Sequence, residues 1–130
     1  MDNEEVQLFY FTSKNDPPLV TRKTDTGDDV ISSANAILVE MLYKLGYYFG
    51  DTHYTQVANT MLAKMGQQMQ KYPSWYSRWA QGALLQAKGL YQIVIVGKNA
   101  TQLYQQFDGY IPNAVFAIST DENNTLPLFE

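Results

Sequence analysis

Few stretches of the chain carry residue types that do chemistry. The turn Asp25-Thr26-Gly27-Asp28-Asp29 gathers three carboxylates, the raw material of a calcium loop or of the acid and base pair that hydrolyses glycosides. A calcium loop also needs alternating further ligands and a closing glutamate, which are missing. Adjacent carboxylates such as Asp28 and Asp29 rarely point into one site, so a solvated acidic turn is the plainer expectation. Gly97-Lys98-Asn99 could cradle an anion where a strand runs into a helix. A phosphate loop, however, requires glycine five places before Gly97, where Gln92 stands, and Ser or Thr after the lysine, where Asn99 stands. His53 is the one histidine, which excludes a two-histidine metal site or a histidine dyad within the chain. Tyr72, Trp75, Tyr76 and Trp79 form an aromatic cluster whose flat apolar faces suit a sugar ring. At helical spacing such a cluster is more often core.

These residues sit in a chain of 130, of which 45% are hydrophobic and 14% aromatic, enough for one core and one domain. The formal net charge of −4 repels phosphate backbones and anionic lipid, so neither nucleic acid nor membrane is an expected partner. Cysteine is absent, which removes thiolate catalysis, Cys-ligated zinc and disulfide chemistry. No metal or cofactor is expected, and no self-contained catalytic centre is found. The acidic start Met1-Asp2-Asn3-Glu4-Glu5 does not read as a signal peptide, and no apolar run approaches the ~20 residues of a membrane span. The expected location is cytoplasmic.

The elements that must position these residues can be read in order. Aromatic and β-branched residues on either side of Asn15-Asp16-Pro17-Pro18 predict a β-hairpin over 6–23. A helix is predicted over 33–49, capped by Ser32 or Ser33, with Ala34, Ile37, Leu38, Met41, Leu42, Leu45 and Phe49 as its core stripe. Asp51 or Thr52 opens a second helix over 52–71, striped by Tyr54, Val57, Ala58, Met61, Leu62, Met65 and Met69. Pro73 interrupts it, and a third helix is predicted over 74–88 with Trp75, Trp79, Ala83, Leu84 and Ala87 on its apolar side. Short connections favour antiparallel neighbours. Tyr91 to Gly97 reads as a buried strand, 99–108 as a helix opened by an Asn99/Gln102 capping box, and 113–119 as a second strand. Strand, helix, strand at this spacing predicts a parallel pair with a right-handed crossover. Residues 120–130 read as a loose tail. The fold class is α+β, mainly α, in a single domain.

Several segments resemble a known family. Phe9-Tyr10-Phe11-Thr12-Ser13, Pro18 to Lys23, and Asp28-Asp29-Val30-Ile31-Ser32-Ser33-Ala34-Asn35-Ala36 are similar to the C-terminal part of the spermatogenesis-associated, thioredoxin-domain-containing protein family. Tyr54 with Ala58, Tyr72-Pro73, Ile93 to Gly97, Pro112-Asn113 and Leu126-Pro127-Leu128 follow in the same order. The resemblance implies a slice of a helical toroid similar to six-hairpin glycosidases and N-acylglucosamine epimerases, without the thioredoxin-like region. It also implies a pocket-facing loop. The family's Asp, Ser and Asn pattern falls on Asp28, Ser33 and Asn35, with Ser32 where proline is usual and Ala36 where serine is usual.

Each helix of a toroid buries two faces, and each Leu or Met left exposed forgoes roughly 1.5–3 kcal/mol. A lone slice is therefore expected either to close its own core or to self-associate through the leftover helical face, most simply as a twofold dimer. The leading expectation is a noncatalytic helical module acting through self-association or assembly with a larger partner. One alternative is a carbohydrate-binding or carbohydrate-processing piece with a pocket of Arg22, Asp28, Asp29, Ser33 and Asn35 and an aromatic surface of Tyr72, Trp75, Tyr76 and Trp79. Another is a regulatory subunit for a thioredoxin-like chain.

Overall fold

The computed structural model describes residues 8–10, 12–13, 15, 17, 23–107, 109, 111, 113–120 and 125–129. Among these the order of elements is α1 (Ala34–Phe49), α2 (Thr52–Lys71), α3 (Ser77–Lys88), β1 (Tyr91–Val96), α4 (Ala100–Gln106) and β2 (Ala114–Ser119). Two 3-10 turns, Pro73–Trp75 and Pro127–Phe129, complete it. The chain is mainly helical with a two-stranded parallel sheet, as expected. Most of the expected hairpin over 6–23 lies outside the described residues, and Leu8, Phe9 and Tyr10, which are described, belong to no strand.

Helix boundaries follow from local chemistry. The Ser33 hydroxyl accepts the Ala36 amide at 3.4 Å, satisfying a free donor at the start of α1. Gly50 ends α1 at φ 62°, the left-handed cap that glycine adopts without a Cβ clash. The Asp51 carboxylate then accepts the His53 amide at 2.8 Å and opens α2. α3 starts at Ser77, later than the expected residue 74, because Pro73 to Trp75 wind as a 3-10 turn first. Asn99 stands at the N-cap of α4 but makes no side-chain cap bond, so the expected capping box does not form.

Pairwise contacts fix how the helices run. The Tyr43 hydroxyl donates to Asn59, while Gly46, further along α1, faces Thr55, earlier on α2. α1 and α2 are therefore antiparallel. Asn59 also accepts from Gln86 at 3.0 Å, and Leu62 lies beside Gly82, so α2 and α3 are antiparallel too. It follows that α1 and α3 run parallel, with their N-terminal ends side by side.

The buried face of α1 is only partly the expected one: Leu42 is buried and Leu38 packs against the core, but the face is rotated away from the rest of the expected stripe. Asn35, Ala36, Val39, Leu42, Tyr43 and Gly46 are buried, whereas Ile37, Met41 and Phe49 of the expected stripe are exposed. Close approach selects this face. A Cβ on Gly46 would sit 2.6 Å from Thr55 Cγ2, and one on Gly82 2.8 Å from Val39 Cγ1, so α2 and α3 contact α1 where a glycine stands. On α2 the expected stripe is the core, with Ala58, Met61, Leu62 and Met65 buried. On α3, Trp79, Gly82 and Leu85 are buried and the expected Leu84 is exposed.

β1 pairs with β2 in register from Tyr91↔Ala114 to Val96↔Ser119. β2 alternates cleanly, Val115, Ala117 and Ser119 being buried. Phe116 carries Tyr104 and Phe107 at ring distances of 5.8 and 5.6 Å. β1 was expected to be buried, yet Tyr91, Gln92, Val94 and Val96 are exposed, because among the described residues the sheet has two strands and β1 has no neighbour on its far side. The expected loose tail also needs correcting. Leu128 is buried in the same hydrophobic cluster as Val39, Met61 and Trp79, and Pro127 rests against Gly50.

Candidate functional site

The acidic turn and the residues expected to line a pocket converge where α1 and α3 begin. Asp28 Oδ1 accepts the Ser33 amide at 3.0 Å, and Oδ2 accepts the Arg78 amide at 2.7 Å. One carboxylate thus meets free amides at the starts of two parallel helices, where both dipoles present positive ends. The Asp28 amide in turn donates to the Trp75 carbonyl at 2.8 Å. Tyr76, the N-cap of α3, supplies no side-chain bond, so Asp28 caps that helix from a distant part of the chain.

Ser33 and Asn35 are buried and committed to the same assembly. The Ser33 hydroxyl donates to the Asp25 carbonyl at 2.9 Å. Asn35 Nδ2 donates to the carbonyls of Asp25 at 2.9 Å and Phe9 at 3.0 Å, while its Oδ1 accepts the Phe9 amide at 2.8 Å. The Asp25 carboxylate accepts the Ala34 amide at 3.3 Å. Asp28, Ser33 and Asn35 are thus brought together, but their polar atoms bind the protein's own backbone. Asp29 is exposed beside them. Arg22 lies outside the described residues.

The aromatic cluster divides. Trp79 is fully buried and its Nε1 donates to the Thr26 carbonyl at 2.7 Å; its expected place on an aromatic surface is corrected to the core. Trp75 is 60% exposed and Tyr72 is half exposed, with Lys71 Nζ 5.2 Å from the Tyr72 ring centre. Tyr76 is half-buried against the core.

A second arrangement was not foreseen. Between α1 and α3 a groove of about 440 Å³ has Glu40, Lys44 and Arg78 on its rim and Leu85, Leu90 and Ile111 among its lining. Lys44 Nζ meets Glu40 Oε1 at 2.7 Å, and the Arg78 guanidinium bonds Glu40 and, at 2.6 Å, Gln81. Partial burial pushes the Glu40 carboxyl up, but the hydrogen bonds and charges of Lys44 and Arg78 outweigh it and hold the group below its usual value. Only the Glu40/Lys44 spacing, one helical turn, was visible in the sequence. Arg78 reaches Glu40 through tertiary packing alone. The groove offers two cations and one carboxylate over an apolar floor, with no histidine and no second carboxylate among its lining residues. That set can bind an apolar group with a polar end. It supplies no nucleophile with a neighbouring base.

His53 is exposed in the first turn of α2, and Lys98 and Asn99 are exposed at the turn into α4. Among the described residues no three His, Asp or Glu side chains stand together as a metal site, and no helix is long and apolar enough to cross a membrane. Comparison with protein-family models, curated proteins and solved structures finds no match.

Proposed function

We propose that this chain is a noncatalytic helical module that acts by assembling with another helical surface, that of a second copy or of a larger partner. The observation that carries the reading is α1. This helix is apolar on two opposite sides; one faces the core, and among the described residues the other is covered only toward its C-terminal end, where Tyr48 bonds β2. Ala36, Val39, Leu42 and Tyr43 face the core, while Ile37 is 39% and Met41 53% exposed on the other side. The charged residues of α1 are Glu40 and Lys44, and both are tied to each other or to Arg78. A helix apolar all round belongs in an interior, and helical neighbours on both sides are what the toroid resemblance implies. Because Asp28, Ser33 and Asn35 spend their polar atoms on the backbone, they support a structural part in this module.

Light scattering over a hundredfold range of concentration tests the self-associating form. Ile37→Lys with Met41→Lys should reduce the mass of any species assembled through this face without changing the circular dichroism spectrum. A wild-type chain that stays monomeric throughout leaves only the larger-partner form. A thermal midpoint reduced by several degrees in the double variant, at a concentration where the wild type is already monomeric, would mean that the face belongs to the core, and would sink the reading.

A carbohydrate-binding reading has one specific observation behind it, the exposure of Tyr72 and Trp75 at a single turn. Titration calorimetry with a panel of mono- and oligosaccharides checks it. Heat that disappears in Trp75→Ala supports it, and no heat for any sugar removes it.

A further inference from the structure

The two edges of the sheet are treated differently. The amide of Tyr91 donates to the Asn113 carbonyl at 2.7 Å and that of Gly97 to the Ser119 carbonyl at 3.0 Å. In a parallel ladder the bonding groups of a strand alternate, so Tyr91, Ile93, Ile95 and Gly97 turn theirs toward β2. Gln92, Val94 and Val96 turn theirs outward. By the same alternation Ala114, Phe116 and Ile118 form the outer edge of β2, and there the Tyr48 hydroxyl donates to the Phe116 carbonyl at 3.1 Å. α1 therefore covers the β2 edge. Nothing equivalent covers β1: among the described residues no hydrogen bond uses the outward amides or carbonyls of Gln92, Val94 or Val96. The turn Pro127–Phe129 lies near β1 but makes no backbone hydrogen bond to it.

Exposed edges are ordinarily blunted by lysine, proline, a bulge or an inward charge. β1, Tyr-Gln-Ile-Val-Ile-Val, has no proline and no charged residue, and its register with β2 is unbroken. Val94 and Val96 are 38% and 45% exposed. Parallel sheets are ordinarily buried on both faces and are rarely this small.

We propose that β1 pairs antiparallel with β1 of a second copy about a twofold axis at Val94, making one continuous four-stranded sheet. The outward groups are self-complementary in this register. Val94 exchanges its amide and carbonyl with the partner's Val94, and Gln92 does so with the partner's Val96. Both edges are satisfied at once, which an unrelated peptide would do for only one of them. No charges meet across the axis, and Ile93 comes opposite the partner's Ile95, placing β-branched side chains in cross-strand pairs. This surface is distinct from the outer face of α1, so the pairing goes beyond the helical-assembly reading and can fail or hold independently of it.

Because the chain has no cysteine, a single introduced thiol reports the register. In a hydrogen-bonded antiparallel pair the Cα atoms stand about 5.5 Å apart, within the range of about 4.4–6.8 Å that a disulfide spans. On oxidation with diamide, Val94→Cys is expected to form a covalent dimer at least tenfold faster than Gln92→Cys. A mixture of Gln92→Cys and Val96→Cys chains should cross-link as heterodimers. Equal or negligible rates for all of these would overturn the proposal. In parallel, Val94→Pro removes an outward amide while leaving the bonds to β2 intact. It should reduce the scattering mass from dimer to monomer with an unchanged circular dichroism spectrum. A dimer that survives Val94→Pro but is lost in Ile37→Lys with Met41→Lys would place self-association on the helix and overturn the β1 assignment alone.

Discussion

Asp28 accepts the backbone amide of Arg78, fifty positions along the chain, at 2.7 Å, and with its other oxygen accepts the amide of Ser33. One side chain thus couples the beginnings of α1 and α3. Asp28→Ala should cost about 2 kcal/mol, the sum of two modest capping losses. Asp28→Asn, which retains one acceptor, should cost about half as much. Urea unfolding measures both, and a loss of under about 0.5 kcal/mol for the alanine variant would show that water caps the helices equally well.

Glycines within α2 and α3 should respond with opposite sign. A Cβ on Gly82 meets Val39 Cγ1 at 2.8 Å, whereas nothing lies within 4 Å of one on Gly66. Gly66→Ala should therefore gain about 1 kcal/mol from helix propensity. Gly82→Ala should lose about 1–3 kcal/mol to overpacking, less the same propensity gain. Thermal unfolding of the two variants side by side checks this.

Alkaline pH should weaken the fold through Tyr43. Burial, with the nearby Tyr47 adding to it, pushes its hydroxyl from 10.0 to about 12. The protonated form is thus favoured in the folded state, and that stability is complete below the unfolded value and lost as pH rises toward 12. Tyr43→Phe, which also forfeits the bond to Asn59, should be less stable at neutral pH yet show a flatter fall in thermal midpoint above pH 10. Parallel curves for the two proteins would refute the assignment.

Acid should act in the other direction on Glu40. Its carboxyl sits below the usual 4.5 because Lys44 and Arg78 together outweigh burial. Its contribution is present above the unfolded value and lost as pH falls through the folded one. The advantage of the wild type over Glu40→Gln should shrink as acid is added, and should also diminish in high salt, since the pair is partly exposed.

Periodicity exposed some of this architecture and concealed other parts. α2 was legible because its apolar residues fall on one side and polar ones on the other. α1 was legible only in part, because Val39 and Tyr43 share Leu42 as readily as Ile37, Met41 and Leu45 do. The choice between them rests on glycines, Gly46 within α1 and Gly82 on its neighbour, and glycine carries no weight in a hydrophobic pattern. β1 was read as buried from its Ile and Val content, since a strand's composition does not reveal how many neighbours it has. The proximity of Asp28, Ser33 and Asn35 was legible. That they bond to Arg78, Phe9 and Asp25 was not, because these partners are backbone groups brought in by tertiary structure. The Glu40 and Arg78 pair was hidden for the same reason.

The contrast between the two tryptophans has a spectroscopic consequence. Trp79 is sealed from solvent with its indole nitrogen bonded to the Thr26 carbonyl, while Trp75 stands largely in water at the turn before α3. Their emission should separate into a blue component that iodide cannot reach and a red one that it quenches. The first follows the packing of α3 onto α1 and α2, and the second follows whatever docks near Tyr72. A chain with two tryptophans therefore reports its folding and its surface occupancy in one spectrum, without an attached dye.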